Sequence, residues 1–116
     1  MTEEPILQVA FFCSETGREP VREWLKELAA DDRKAIGEDI KLVQFRWPLG
    51  MPLVEKLDAN LWEVRSRLQD GRIACACFTV RAGKMVLLHG FMKKTQKMPL
   101  QELELARRRR DLWWSR

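Results

Sequence analysis

The residues of this chain best suited to chemistry are cations, and they crowd its second half. The first 70 residues mix both signs. Beyond Glu63 come Arg65, Arg67, Arg72, Arg81, Lys84, Lys93, Lys94 and Lys97, then the run Arg107 to Arg110. The net charge is +4, with a pI near 9.2. A guanidinium presents a planar fork of donors that matches two phosphate oxygens at once. Phosphate contacts dominate nucleic-acid affinity, so a basic half points to a polyanion partner. The plainer readings are a solvated basic surface or a face that docks an acidic protein. His89 is the sole histidine, and its side chain titrates near neutrality, which invites a general-acid role. A lone histidine in an apolar strand is also commonly a hydrogen-bonded packing residue.

The totals set the frame for these groups. At 116 residues there is room for one domain, spanning 1–116, with one modest core. Hydrophobic residues make up 46% and charged residues 33%, the balance of a folding chain rather than a disordered one. No stretch approaches the roughly 20 apolar residues of a membrane helix. The acidic start, Met1-Thr2-Glu3-Glu4-Pro5, lacks the layout of a signal peptide. Cys13, Cys75 and Cys77 have neither disulfide-framework nor zinc spacing, which suits a reducing compartment and argues against a metal. The expectation is a cytoplasmic protein that needs no cofactor and has no membrane partner.

Hydrophobic period and turn residues place the cations on elements. Ile6 to Phe12 reads as a buried strand. Pro20 suits the first turn of a helix that carries Val21, Trp24, Leu25 and Leu28 at helical spacing. Ala29-Ala30-Asp31-Asp32 reads as a turn in which Asp31 caps the next helix. That helix puts Ile36, Ile40, Val43 and Trp47 on one face and stops at Pro48-Leu49-Gly50. Past Pro52 the period becomes two. Leu61 to Arg67 sets Trp62 and Val64 on one face, with Glu63, Arg65 and Arg67 on the other. Gln69-Asp70-Gly71 turns the chain into a strand from Ile73 to Val80, where Cys75 and Cys77 share a face. Ala82-Gly83 turns it again into Lys84 to Met92, where alternation puts His89 with Leu87, Phe91 and Lys93. Pro99 opens a last helix running to Trp113. The order β-α-α-β-β-β-α describes an α+β domain with a curved antiparallel sheet.

On particular strings the chain resembles the phage-derived, HigB-like branch of the RelE/ParE toxin superfamily. These are Leu61-Trp62-Glu63-Val64-Arg65, Leu87-Leu88-His89-Gly90-Phe91, Lys93-Lys94-Thr95-Gln96-Lys97 and Pro99, with Val21 to Pro52 upstream. The resemblance implies a RelE-like, microbial-ribonuclease-like fold: a twisted antiparallel sheet, an N-terminal helical hairpin on one face and a C-terminal helix. It also implies the toxin of a type II toxin–antitoxin system, held in a hetero-oligomer by a cognate antitoxin, a helix-turn-helix protein. Many such toxins cut messenger RNA on the ribosome without a metal. The RNA's own 2′-hydroxyl attacks the neighbouring phosphate while the protein moves protons and stabilises the developing charge.

In that reaction Arg65, on the polar face of its strand, is the first choice for phosphate stabilisation; its plainer role is an ion pair with Glu63 or Glu55. Lys93, Lys94 and Lys97 follow the last strand, where a segment closing over RNA would lie. A lysine there serves as a base only if neighbouring cations lower its pKa. Arg67 and Lys97 suit RNA binding or plain solvation. Arg107 to Arg110 encircle the last helix, so only some, such as Arg107 and Arg110, reach one partner. Trp113 and Trp114 either stack on bases or pack across the sheet.

One position departs from the family. The strand after the hairpin turn normally carries an arginine where this chain has Cys75. The consequence is a weakened toxin, an engineered inactive form, or a variant relying on Lys93 or Lys94. Two other functions stay open: a ParE-like inhibitor of DNA gyrase that cuts nothing, and a protein whose main activity is binding its antitoxin.

Overall fold

The computed structural model describes residues 3–94 and 97–116. Its elements are β1 (Gln8–Phe11), α1 (Pro20–Glu27), α2 (Ala30–Arg46), β2 (Val54–Asp58), β3 (Leu61–Arg67), β4 (Ile73–Arg81), β5 (Lys84–Lys93) and α3 (Leu100–Trp114). One sheet runs in the order β1-β5-β4-β3-β2. The architecture is the expected RelE-like α+β fold. Among the described residues no helix is long and apolar enough to cross a membrane.

Three local expectations are corrected. The sheet has a strand more than expected, because β2 pairs antiparallel with β3. A register shift between Lys56 and Asp58 breaks its alternation, so the period-two signal is lost. The opening strand is parallel, not antiparallel, to its neighbour β5. The helical hairpin between β1 and β2 is long enough to carry the chain over the sheet, as a parallel pairing requires. Lastly, α2 starts at Ala30 with Ala29 at its cap and no side-chain cap bond. Asp31 and Asp32 therefore lie inside the first turn, where they favour the positive helix end but do not cap it.

The sheet is covered on both faces. On one side Val21, Ile36, Ile40 and Val43 of the helical hairpin pack on Val64, Ala74, Ala76, Phe78, Met85 and Leu87. Trp47 anchors the end of α2 edge-on to Trp62 and Phe78, at 5.0 and 5.6 Å between ring centroids. On the other side Ala106, Leu103 and Trp113 of α3 cover Leu61, Cys77, Val86 and Leu88.

A bulge in β5 decides which side chains reach the α3 face. Cys77 pairs with His89 but Phe78 pairs with Leu87, so Leu88 is an extra residue in β5. His89 thereby shares its face with Leu88 rather than with Leu87, against simple alternation. The same register leaves Gly90 facing the helical hairpin. A Cβ there would meet the Trp24 ring at 2.2 Å, so the indole of α1 lies directly on the strand backbone.

Candidate functional site

The α3 face of the sheet gathers most of the residues singled out above. Strand register sets three rows across it: Glu55–Glu63–Cys77–His89, Arg65–Cys75–Phe91, and Arg67–Ile73–Lys93. The first row is covered by α3, while the last lies toward the strand ends.

Arg65 is mostly covered, with 19% of its side chain exposed. Glu55 approaches it at 3.9 Å and Glu63 at 3.8 Å, so the expected ion pairs both form, at distances too long for hydrogen bonds. Its Nε is buried and has no hydrogen-bond partner among the described residues. Arg65 and Arg67 line an open cavity of about 360 Å³ together with Asp39, Pro52, Leu53 and Ile73. The arrangement offers two guanidinium groups over an apolar floor, with one carboxylate at the rim.

Lys93 is placed differently from Lys94. Its side chain is only 4% exposed, and its ammonium lies 3.8 Å from Glu63, which is fully buried. Neither Glu63 oxygen has a hydrogen-bond partner among the described residues. Burial pushes the Glu63 carboxyl up, opposed by the Lys93 charge. Two cations thus converge on one dry carboxylate. Lys94, one residue on, is exposed at the end of the strand, and so is Lys97. The expected closing segment from Lys93 to Lys97 includes Thr95 and Gln96, which lie outside the described residues.

His89 is enclosed. Its Nε2 lies 2.5 Å from a Glu102 oxygen, its ring stacks on Phe91, and Arg109 approaches Nδ1 at 3.4 Å. Since a guanidinium only donates, Nδ1 accepts and Nε2–H donates to Glu102. Burial holds the imidazole below its usual pKa despite that carboxylate, and Arg109 adds to the shift. A neutral ring with both nitrogens engaged is a packing and hydrogen-bonding group rather than an open proton donor.

Cys75 occupies the centre of the face and is fully buried. Burial first, then the neighbouring Glu63 charge, push its thiol up to about 12, so it stays protonated. Cys77, also fully buried, is raised for the same reasons. Among the described residues no three His, Cys, Asp or Glu side chains are placed to hold a metal ion.

The arginines of α3 face inward in part. Arg107 and Arg110 both bond the Asp58 carboxylate, at 3.0 and 2.9 Å, and Arg110 also donates to the Ala59 carbonyl. They clamp α3 to the β2–β3 turn and hold the Asp58 carboxyl near a pKa of about 2. Arg109 donates to the Leu88 carbonyl at the bulge.

Sequence reasoning missed Glu63 as a buried partner and Arg109, one of the run on the last helix, as an internal one, and missed Glu102 and Asp39 altogether. Glu63 carries one usable signal: it alternates with Leu61, which α3 covers. The other three come from helices whose docking no strand pattern encodes.

A family model links this geometry to known proteins. Residues 23–111 match the phage-derived Gp49-like proteins of the DUF891 family. The chain belongs to the Gp49-like family. The match runs from α1 into α3, so this Gp49-like chain carries Glu63, Arg65, Cys75, His89 and Lys93 inside the matched region. No curated protein matches it.

Proposed function

We propose that this Gp49-like protein is the toxin of a type II toxin–antitoxin pair, of the HigB-like branch of the RelE/ParE superfamily, and cuts messenger RNA on the ribosome. Arg65 carries the reading: a guanidinium held by its carboxylate neighbours only at ion-pair distance, beside Arg67, lining a cavity in the size range of small-ligand sites. The family match and the basic second half support it. In the reaction the 2′-oxygen bonds to phosphorus and the bond to the 5′-oxygen breaks. The 2′-hydroxyl proton leaves to a base and a proton returns to the 5′-oxygen. Arg65 stabilises the extra charge on the phosphate oxygens. Lys94, exposed beside the buried Lys93, serves the leaving oxygen. The reaction needs no metal or other cofactor.

A second reading has its own support. His89 and Lys93 are both engaged internally, and Cys75 stands where the resemblance to HigB-like toxins implies an arginine. That favours a toxin that blocks its target by binding alone, as a ParE-like gyrase inhibitor does, or one that mainly engages its antitoxin.

Controlled expression of the chain, its Arg65→Ala form and its Cys75→Arg form, with primer extension on a reporter message, separates the two. Cuts within codons that vanish in Arg65→Ala support the nuclease. Growth arrest with filamentation and no cuts in any form sinks it.

A further inference from the structure

A second basic cavity lies at the opposite end of β4, away from Arg65. It measures about 230 Å³ and is lined by Arg81, Ala82, Lys84, Trp113 and Arg116, with no Asp or Glu among the described lining residues. Arg81 lies six positions along β4 from Cys75, which is roughly 20 Å along a strand. Arg81 is already committed: it stacks on Trp114 at 4.6 Å and donates to the Trp114 carbonyl at 2.7 Å. That bond occupies an open carbonyl at the end of α3, which would otherwise repel an anion. Trp114 is fixed as well, its indole N–H donating to Thr79. Trp113 and Lys84 are left to face a ligand, beside Arg116, whose guanidinium is held over the Phe12 ring at 5.0 Å. Lys84 and Arg116 are exposed, while Trp113 is half-buried against the α3-side core.

We infer that this cavity is a separate contact for single-stranded RNA, taking one nucleotide with its phosphate between Lys84 and Arg116 and its base against Trp113. The chemistry is that of a stacking platform rimmed by cations, tolerant of sequence because every base has a π-face. A small concave site suits one nucleotide better than the broad face that an acidic protein requires. The inference rests on the RNA reading above and extends it. Arg65 marks where the strand reacts, and this cavity holds the same strand some distance away.

The probe is a fluorescent 2′-O-methyl oligouridylate, which binds but cannot be cut, titrated by anisotropy across a KCl series. Relative to the unaltered chain, Lys84→Glu/Arg116→Glu is expected to weaken binding about tenfold and to flatten the slope of log affinity against log salt by about 0.7, the change for one lost phosphate contact on a single strand. Trp113→Leu, which keeps an apolar side chain against the core, is expected to weaken binding with the salt slope unchanged. Thermal melts confirm that each variant is folded. An unchanged affinity and slope in the charge-reversed variant overturns the inference, whatever Arg65→Ala does to cutting. So does binding of polyglutamate as tight as that of the oligonucleotide, which would assign the surface to an acidic protein. Loss of oligonucleotide binding in the charge-reversed variant, with no message cut by the unaltered chain, keeps the cavity and removes the nuclease.

Discussion

The Lys93 ammonium stands 3.8 Å from the carboxylate of Glu63 in the interior of the α3 face, with both side chains almost entirely out of water. Arg65 reaches the same carboxylate at 3.8 Å from the adjoining row. A buried charge left without its partner is far more costly than a pair removed together.

Glu63→Gln and Lys93→Met are each expected to destabilise the fold by about 3 kcal/mol, the low end for a broken buried pair because the ions are not hydrogen-bonded. The double variant is expected to lose much less than the sum. Urea melts of the four forms give the coupling directly, and simple additivity would mean that the pair is not a unit.

His89 gives the protein a pH dependence of definite sign. Its folded pKa lies below the unfolded value of 6.5, chiefly through burial. Between those values the unfolded chain binds the proton first, so stability is complete above 6.5 and falls as pH drops through the folded pKa. His89→Gln is expected to flatten this part of the profile, measured as urea midpoints over mildly acidic to neutral buffers. An unaltered slope would point to another group.

Gly90 is required by a neighbour rather than by its own backbone. Any Cβ there enters the Trp24 ring. Gly90→Val should cost about 2–3 kcal/mol through overpacking, and pairing it with Trp24→Ala should relieve the clash, leaving only the loss of the indole. Thermal unfolding of the single and double variants checks both parts.

The cysteines differ in access. Cys75 and Cys77 are buried and held protonated, whereas Cys13 is partly exposed. Iodoacetamide is expected to modify Cys13 alone in the native protein and all three in denaturant, counted by mass spectrometry. Rapid native labelling of Cys75 would contradict the packing of its face.

The amino-acid sequence by itself determined the elements and their sidedness. Period, proline and glycine marked the helical hairpin, the three strands from Leu61 onward and the last helix, because these signals act between near neighbours in the chain. It also placed Arg65 and Cys75 on one side of the sheet and gathered the cations in the second half of the chain. Only the tertiary structure decided the rest. The bulge at Leu88 turned His89 away from the face of Leu87, and docking of α3 then gave it Glu102 and Arg109. Register brought Lys93 and Arg65 onto Glu63, and the α3 face became dry enough to raise the Cys75 thiol. Such outcomes depend on which distant side chains exclude water from a group, and no spacing along the chain records that.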